Sequence, residues 1–103
     1  MEKKFKARIK WLSKEQGGRQ TGLPYGDKYA PIIRITKQKF TSIYYLDEEG
    51  KWSLLVNNQE IFADFETIAE VKYLSEKAPD NLEKDVEFEL YEGSNLVAKG
   101  VIL

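Results

Sequence analysis

Apolar and polar side chains alternate with a period of two along much of this chain. The first such run covers residues 4–11, where Phe5, Ala7, Ile9 and Trp11 alternate with Lys4, Lys6, Arg8 and Lys10. In a β-strand, successive side chains point to opposite faces, so this period is typical of a half-buried strand. The run therefore predicts a strand with one apolar face and one cationic face.

The same period predicts further strands, separated by segments rich in turn-forming residues. We predict these strands over residues 32–36, 40–46, 52–56, 66–74, 86–90 and 96–103. Loops are expected at residues 12–30, 47–50 and 75–84, where Gly, Pro, Asn and Asp concentrate. Asn57-Asn58 is predicted to be a turn, because asparagine tolerates a positive φ. Gly100, inside the last strand, predicts a bulge or a close backbone approach.

This pattern predicts an all-β protein, since no stretch sustains the helical period of 3.6 residues. Six or seven short strands joined by turns are typical of a sandwich or a small closed antiparallel barrel. A length of 103 residues is that of one domain, so we expect a single domain over residues 1–103. The two Trp, six Tyr and five Phe are expected to form the centre of its core.

Composition limits the catalytic groups and metal ligands that this chain can supply, because it contains neither cysteine nor histidine. The commonest general base and metal ligand is therefore missing, and no disulfide or catalytic thiolate is available. The glycine-rich phosphate loop of nucleotide-binding proteins is also absent from the sequence. Neither a secretory signal nor a run of ~20 apolar residues is present, so we expect a cytoplasmic protein with no membrane association. We expect no metal or nucleotide cofactor and no enzymatic activity.

Charge is distributed unevenly, although the formal net charge is only −1. Residues 1–39 carry a net charge of +8, whereas residues 40–103 carry −9. Such asymmetry indicates either a basic binding face or two halves that neutralise each other.

The cationic face of the first strand is one candidate binding site. Its members, which we call the basic stripe, are Lys4, Lys6, Arg8 and Lys10. Side chains two residues apart on a strand are about 6.6–6.8 Å apart, a spacing that suits the phosphates of a polyanion. The alternative is a solvent-facing stripe that pairs across a strand ladder with Asp85, Glu87 and Glu89.

The second candidate is a loop formed by Gly17, Gly18, Arg19, Gln20 and Thr21. Its glycines allow a partner to approach the backbone closely, and Arg19 has the fork geometry that binds a phosphate or carboxylate. The alternative is a flexible connection whose arginine ties the loop to a neighbouring carboxylate. Gly93, in a predicted turn at residues 92–95, is a further candidate contact.

Two segments share motifs with a known protein family. Residues 8–35 contain Gly17-Gly18-Arg19 with Thr21, followed by Tyr29-Ala30-Pro31, where the family has Gly-Gly-Arg-His-Thr and Tyr-Arg-Pro. Residues 88–102 match a closing strand pair that turns through a Glu-Gly-Gly-Arg sequence, here Glu92-Gly93-Ser94-Asn95. Together they resemble the third, C-terminal barrel domain of the elongation factor Tu family, over roughly half of the chain.

The resemblance implies a six-stranded antiparallel barrel that acts as a binding module. In that family the domain helps to hold the T stem of aminoacyl-tRNA, so the implied partner is structured, tRNA-like RNA. The implied contacts are the Gly17–Thr21 loop and the Gly93 turn, with the basic stripe supplying charge. The alternative is a protein-interaction or accessory domain without RNA binding, which the near-neutral total charge favours. A third reading, a small enzyme, requires a cleft with converging carboxylates, whereas side chains fill the interior of a small barrel.

Overall fold

The structure is a computed structural model that describes residues 4–19, 23–24, 26, 28–37, 52–63, 65–78 and 82–103. The strands within these ranges are β1 (Phe5–Trp11), β2 (Ile32–Lys37), β3 (Trp52–Ala63), β4 (Glu66–Tyr73), β5 (Glu87–Glu92) and β6 (Asn95–Ile102). A 3-10 helix at Lys14–Gln16 follows β1. No helix in the described ranges has the length and apolar character needed to cross a lipid bilayer. The predicted all-β class is confirmed.

The six strands close into an antiparallel barrel in the order β1-β4-β3-β2-β5-β6. The ring is completed by β6, which pairs with β1 over Ala7–Trp11 and Ala98–Ile102. β2 begins directly after Pro31, as predicted, because proline cannot donate to the ladder. The closed antiparallel barrel, one of the two predicted all-β architectures, is confirmed for the described residues.

Alternate residues of the strands fill the interior of the barrel. Its largest fully buried side chains are Trp11, Phe88, Ile9, Leu54, Leu90 and Ile102. Gly100 lies against the ring of Phe88, and a Cβ at this position would collide with that ring. The close approach predicted for Gly100 is therefore present, although it is made by a side chain rather than by backbone. The register shift between β5 and β6 lies elsewhere, between Leu90 and Tyr91.

The predicted turn at Asn57-Asn58 is wrong, because β3 runs through both asparagines. Asn57 pairs in register with Glu70 of β4, and Asn58 pairs with Ala69. The side chain of Asn58 is satisfied by hydrogen bonds to distant residues, described below, which removes the usual reason for asparagine to favour a turn. The strand predicted over residues 40–46 and the tip at 47–50 lie outside the described residues.

Candidate functional site

The basic stripe lies on the outside of the barrel, as the alternation predicts. Lys4, Lys6, Arg8 and Lys10 are exposed. The intervening Ala7 and Ile9 are completely buried. One strand therefore contributes to the core with one face and presents a row of cations to solvent with the other.

The strands that flank the stripe differ from those expected. β1 lies between β4 and β6, so β5 is two positions away in the ring. Glu87 and Glu89 pair in register with Val101 and Lys99 of β6, and Asp85 precedes β5. The predicted ladder pairing of the stripe with Asp85, Glu87 and Glu89 is wrong, because β6 lies between β1 and β5.

Carboxylates of β4 neutralise part of the stripe. Lys4 Nζ lies 3.5 Å from Glu70 Oε1, and an Arg8 guanidinium nitrogen lies 3.7 Å from Glu66 Oε1. Lys6 donates a hydrogen bond to the side-chain oxygen of Gln59. Ion pairs this exposed contribute only about 0–1 kcal/mol each, so their geometry does not fix the stripe firmly.

Three adjacent strands nevertheless form a basic side of the barrel. With Lys4, strands β4, β1 and β6 carry six cations and two carboxylates, a net charge of +4. The cations are Lys4, Lys6, Arg8, Lys10, Lys72 and Lys99, and the carboxylates are Glu66 and Glu70. We call this surface the basic side. The adjacent β5 carries three carboxylates and no cation, so the potential changes sign around the ring.

The glycine loop after β1 is shaped by contacts within the chain. Ser13 and Gln16 form a reciprocal capping box around the 3-10 helix. Gly17 then adopts φ of 88°, a left-handed conformation that favours glycine. A Cβ on Gly18 would collide with the carbonyl of Leu12. Both glycines therefore have a local structural reason, independent of any partner.

Arg19 ties this loop to the turn between β5 and β6. One of its guanidinium nitrogens donates to Glu92 Oε2 at 2.5 Å, and its guanidinium carbon lies 4.6 Å from the ring centroid of Tyr29. The hydroxyl of Tyr29 donates to the same oxygen of Glu92, also at 2.5 Å. We call Arg19, Tyr29 and Glu92 the arginine cluster. It matches the alternative interpretation, in which arginine holds the loop to a neighbouring carboxylate.

Partial burial and the contacts within the arginine cluster together determine the ionisation of its side chains. Burial raises the pKa of the Tyr29 phenol well above its usual range, and the hydrogen bond to Glu92 raises it further. Burial alone lowers the pKa of Arg19, but its interactions with Tyr29 and Glu92 outweigh this effect and the net change is upward. Near neutral pH the cluster therefore holds a protonated phenol and a charged guanidinium.

A chain of polar contacts centred on the buried Thr67 holds the same loop at Pro24. Trp11 Nε1 donates to Thr67 Oγ1 at 2.9 Å, and Thr67 Oγ1 donates to Asn58 Oδ1 at 2.7 Å. Asn58 Nδ2 in turn donates to the carbonyl oxygen of Pro24 at 2.8 Å. We call these four residues the threonine chain. This chain of contacts was not predicted from the sequence, although a threonine at an inward position of β4, between Glu66 and Ile68, was a usable signal.

Some of the predicted contacts, namely Arg19, the Gly93 turn and Lys10, lie at one end of the barrel. The arginine cluster joins the Gly17–Arg19 loop to the β5–β6 turn, where Gly93 adopts φ of 63°. Glycine at the first central position of a two-residue hairpin is the pattern of a type II′ turn. Lys10 lies at this end of the basic stripe, since it precedes Trp11, whereas Lys4 lies at the opposite end. Gln20 and Thr21 lie outside the described residues.

The acidic residues of the described ranges are not grouped for metal binding. No set of three or more Asp or Glu side chains comes close enough there to hold an ion.

No protein-family model matches this chain.

Proposed function

We propose that this chain is a non-catalytic binding module that contacts structured RNA through the basic side of its barrel. The observation that carries this proposal is the net charge of +4 on three adjacent strands of a chain whose total charge is −1. Clustering of cations on one side is the electrostatic footprint of nucleic-acid binding. Double-helical RNA is recognised largely through its backbone and shape, which a charged convex surface can contact.

The arrangement of the basic stripe supports the same partner. Lys6, Arg8 and Lys10 follow one another along β1, and Lys10 lies at the end of the strand that leads to the glycine loop. Their spacing of about 6.6–6.8 Å allows several phosphates of one strand to be contacted at once. The resemblance to the elongation factor Tu barrel points to the same class of ligand and to the same loop and turn.

A protein partner is the second candidate, and two exposed leucines favour it. Leu103 and Leu74 are 53% and 57% exposed. Leu103 donates its backbone N–H to the carbonyl of Lys6, so it lies beside the basic stripe. An acidic protein surface that also carries apolar groups fits a cationic row flanked by leucine.

A gel-shift titration with total tRNA at low salt tests the proposal. We expect micromolar binding that weakens steeply with salt, because bound phosphates release counterions. In the double variant K4Q/K6Q, affinity is expected to fall about tenfold and the salt slope by about 2. The matched control is K77Q/K84Q, which loses the same charge at exposed lysines outside strands β1, β4 and β6.

Three outcomes separate the candidates. Equal weakening in both double variants would mean that net charge alone acts, which contradicts a binding face. No retained complex at protein concentrations of tens of micromolar would end the RNA proposal. Capture of a protein whose yield survives moderate salt would favour the second candidate, because apolar contacts are insensitive to screening.

A further inference from the structure

Two lysines face each other across the β1–β6 ladder. Lys10 of β1 is directly opposite Lys99 of β6, and both are exposed. Directly opposite residues of an antiparallel pair have Cβ atoms about 4.5–5.5 Å apart, and like charges in this position are destabilising. The barrel therefore carries a local repulsion at the end where the glycine loop leaves β1.

The carboxylate beside Lys10 is engaged by another cation. Lys10 has Glu66 as its other neighbour in register, on β4. Glu66 lies 3.7 Å from the guanidinium of Arg8. Within the described part of the chain, Lys10 has no ion pair of its own.

The carboxylate beside Lys99 is engaged as well. Lys99 has Glu89 as its other neighbour in register, on β5. Glu89 accepts a hydrogen bond from the Tyr91 hydroxyl at 2.7 Å and faces Arg34 across the β2–β5 ladder. Lys99 likewise makes no ion pair with any described residue, so the ladder places two lysines opposite each other, and neither has an ion pair in the described ranges.

We propose that Lys10 and Lys99 form a seat for one phosphoryl group. A phosphate presents several strong acceptor oxygens, so one group can accept hydrogen bonds from both lysines and replace their repulsion by two attractions. The source is either a free phosphate or the backbone of a nucleic acid. For RNA, this proposal rests on the proposed function and adds to it the place where a backbone phosphate of the RNA binds.

The rest of the basic stripe lacks this property. Lys4, Lys6 and Arg8 each have an acceptor within the chain, so an incoming anion must compete with Glu70, Gln59 or Glu66. Among the described residues, a phosphate at Lys10 and Lys99 displaces no ion-pair partner. Binding there should therefore be stronger per charge than at any other point along β1.

A thermal-unfolding experiment with inorganic phosphate tests the seat without RNA. In chloride at low ionic strength, K99Q should melt about 1–3 °C above the wild type, because the repulsion is removed. Replacing chloride by phosphate at constant ionic strength should raise the melting temperature of the wild type more than that of K99Q. K84Q is the matched control: it loses one exposed lysine elsewhere and should respond to phosphate as the wild type does.

The same variants in the tRNA gel shift provide the second arm. We expect K10Q and K99Q each to weaken binding about fivefold to tenfold, and K4Q to weaken it less, since Lys4 is already paired with Glu70. A phosphate shift in the first arm with no tRNA binding by the wild type would support the seat and remove the RNA function. Equal phosphate shifts in wild type and K99Q, or a K4Q effect as large as that of K99Q, would overturn the seat and leave RNA binding standing.

Discussion

The segment between β1 and β2 is held to the barrel at two places, which differ in charge and in burial. The threonine chain is neutral, and its central residue Thr67 is completely buried. The arginine cluster is charged, and the side chains of Arg19 and Glu92 are 18% and 40% exposed. Both connect residues far apart in sequence, so both act as fastenings of tertiary structure.

This difference indicates which of the two contributes more to the free energy of unfolding and which makes that free energy depend on salt and pH. A buried hydrogen bond is costly to break, because the partner left behind cannot find water. A partly exposed charged group keeps much of its hydration when its partner is lost, and salt screens the interaction. We therefore expect the threonine chain to set the free energy of unfolding, and the arginine cluster to make it depend on salt and pH.

Removing the hydroxyl of Thr67 should have the largest effect. Thr67→Val leaves the Trp11 donor and the Asn58 acceptor without their partner, and we expect a loss of about 2–4 kcal/mol in the free energy of unfolding. Urea denaturation measures this loss. Thr67→Ser is the matched control, because it keeps the hydroxyl and loses only a methyl group. A loss for Thr67→Val no larger than that for Thr67→Ser would show that the hydroxyl contributes little.

Removing the guanidinium of Arg19 should have an intermediate effect. Arg19→Ala loses the contact with the Tyr29 ring and the pair with Glu92, for an expected loss of about 1–2 kcal/mol at low salt. Denaturation at rising salt should show this loss shrinking, whereas the loss in Thr67→Val should stay constant. Arg19→Lys keeps the charge without the planar fork and should recover only part of the stability. A loss independent of salt would contradict the electrostatic account.

Removing the hydroxyl of Tyr29 should have the smallest effect at neutral pH. Tyr29→Phe loses one partly exposed hydrogen bond, worth about 0.5–1.5 kcal/mol. The folded state raises the pKa of this phenol above that of the unfolded chain. The stabilisation is therefore complete below about pH 10 and is lost as pH rises through the folded pKa.

The measurement is the difference in unfolding free energy between the wild type and Tyr29→Phe across the alkaline range. It should narrow above about pH 10. The loss in Thr67→Val involves no titrating group and should remain unchanged over the same range. A difference that widens with pH would mean that the phenol ionises more readily when folded.

The sequence was sufficient to predict the strands because each strand is a local pattern. Alternation located β1, β4, β5 and β6 to within about two residues at each end. It also placed the basic stripe on the outer face, since inward and outward positions follow from the period alone. Because arginine commonly pairs with carboxylates, a contact between Arg19 and a neighbouring carboxylate was one of the two interpretations of this loop.

What the sequence did not supply is the order of strands around the ring. Strand order depends on pairings between distant segments, and the period of two is the same whether Lys6 faces Glu70 or Glu87. The same limit explains the error at Asn57-Asn58. A local rule assigns asparagine to a turn, but Asn58 is held in β3 by Thr67 and Pro24, which lie 9 and 34 residues away.

Closure of the barrel by β1 and β6 has a kinetic consequence. Ala7 and Ile102 are neighbours in the ring although almost the whole described sequence separates them. Closing so large a loop has an entropic cost that the chain must overcome before the final ladder forms. We therefore expect folding on the millisecond-to-second scale. Until that moment β1 and β6 both present bare edges. An unpaired edge can pair with a second chain. The yield of refolding should therefore fall as protein concentration rises, whereas the stability of the folded barrel should depend on concentration much less.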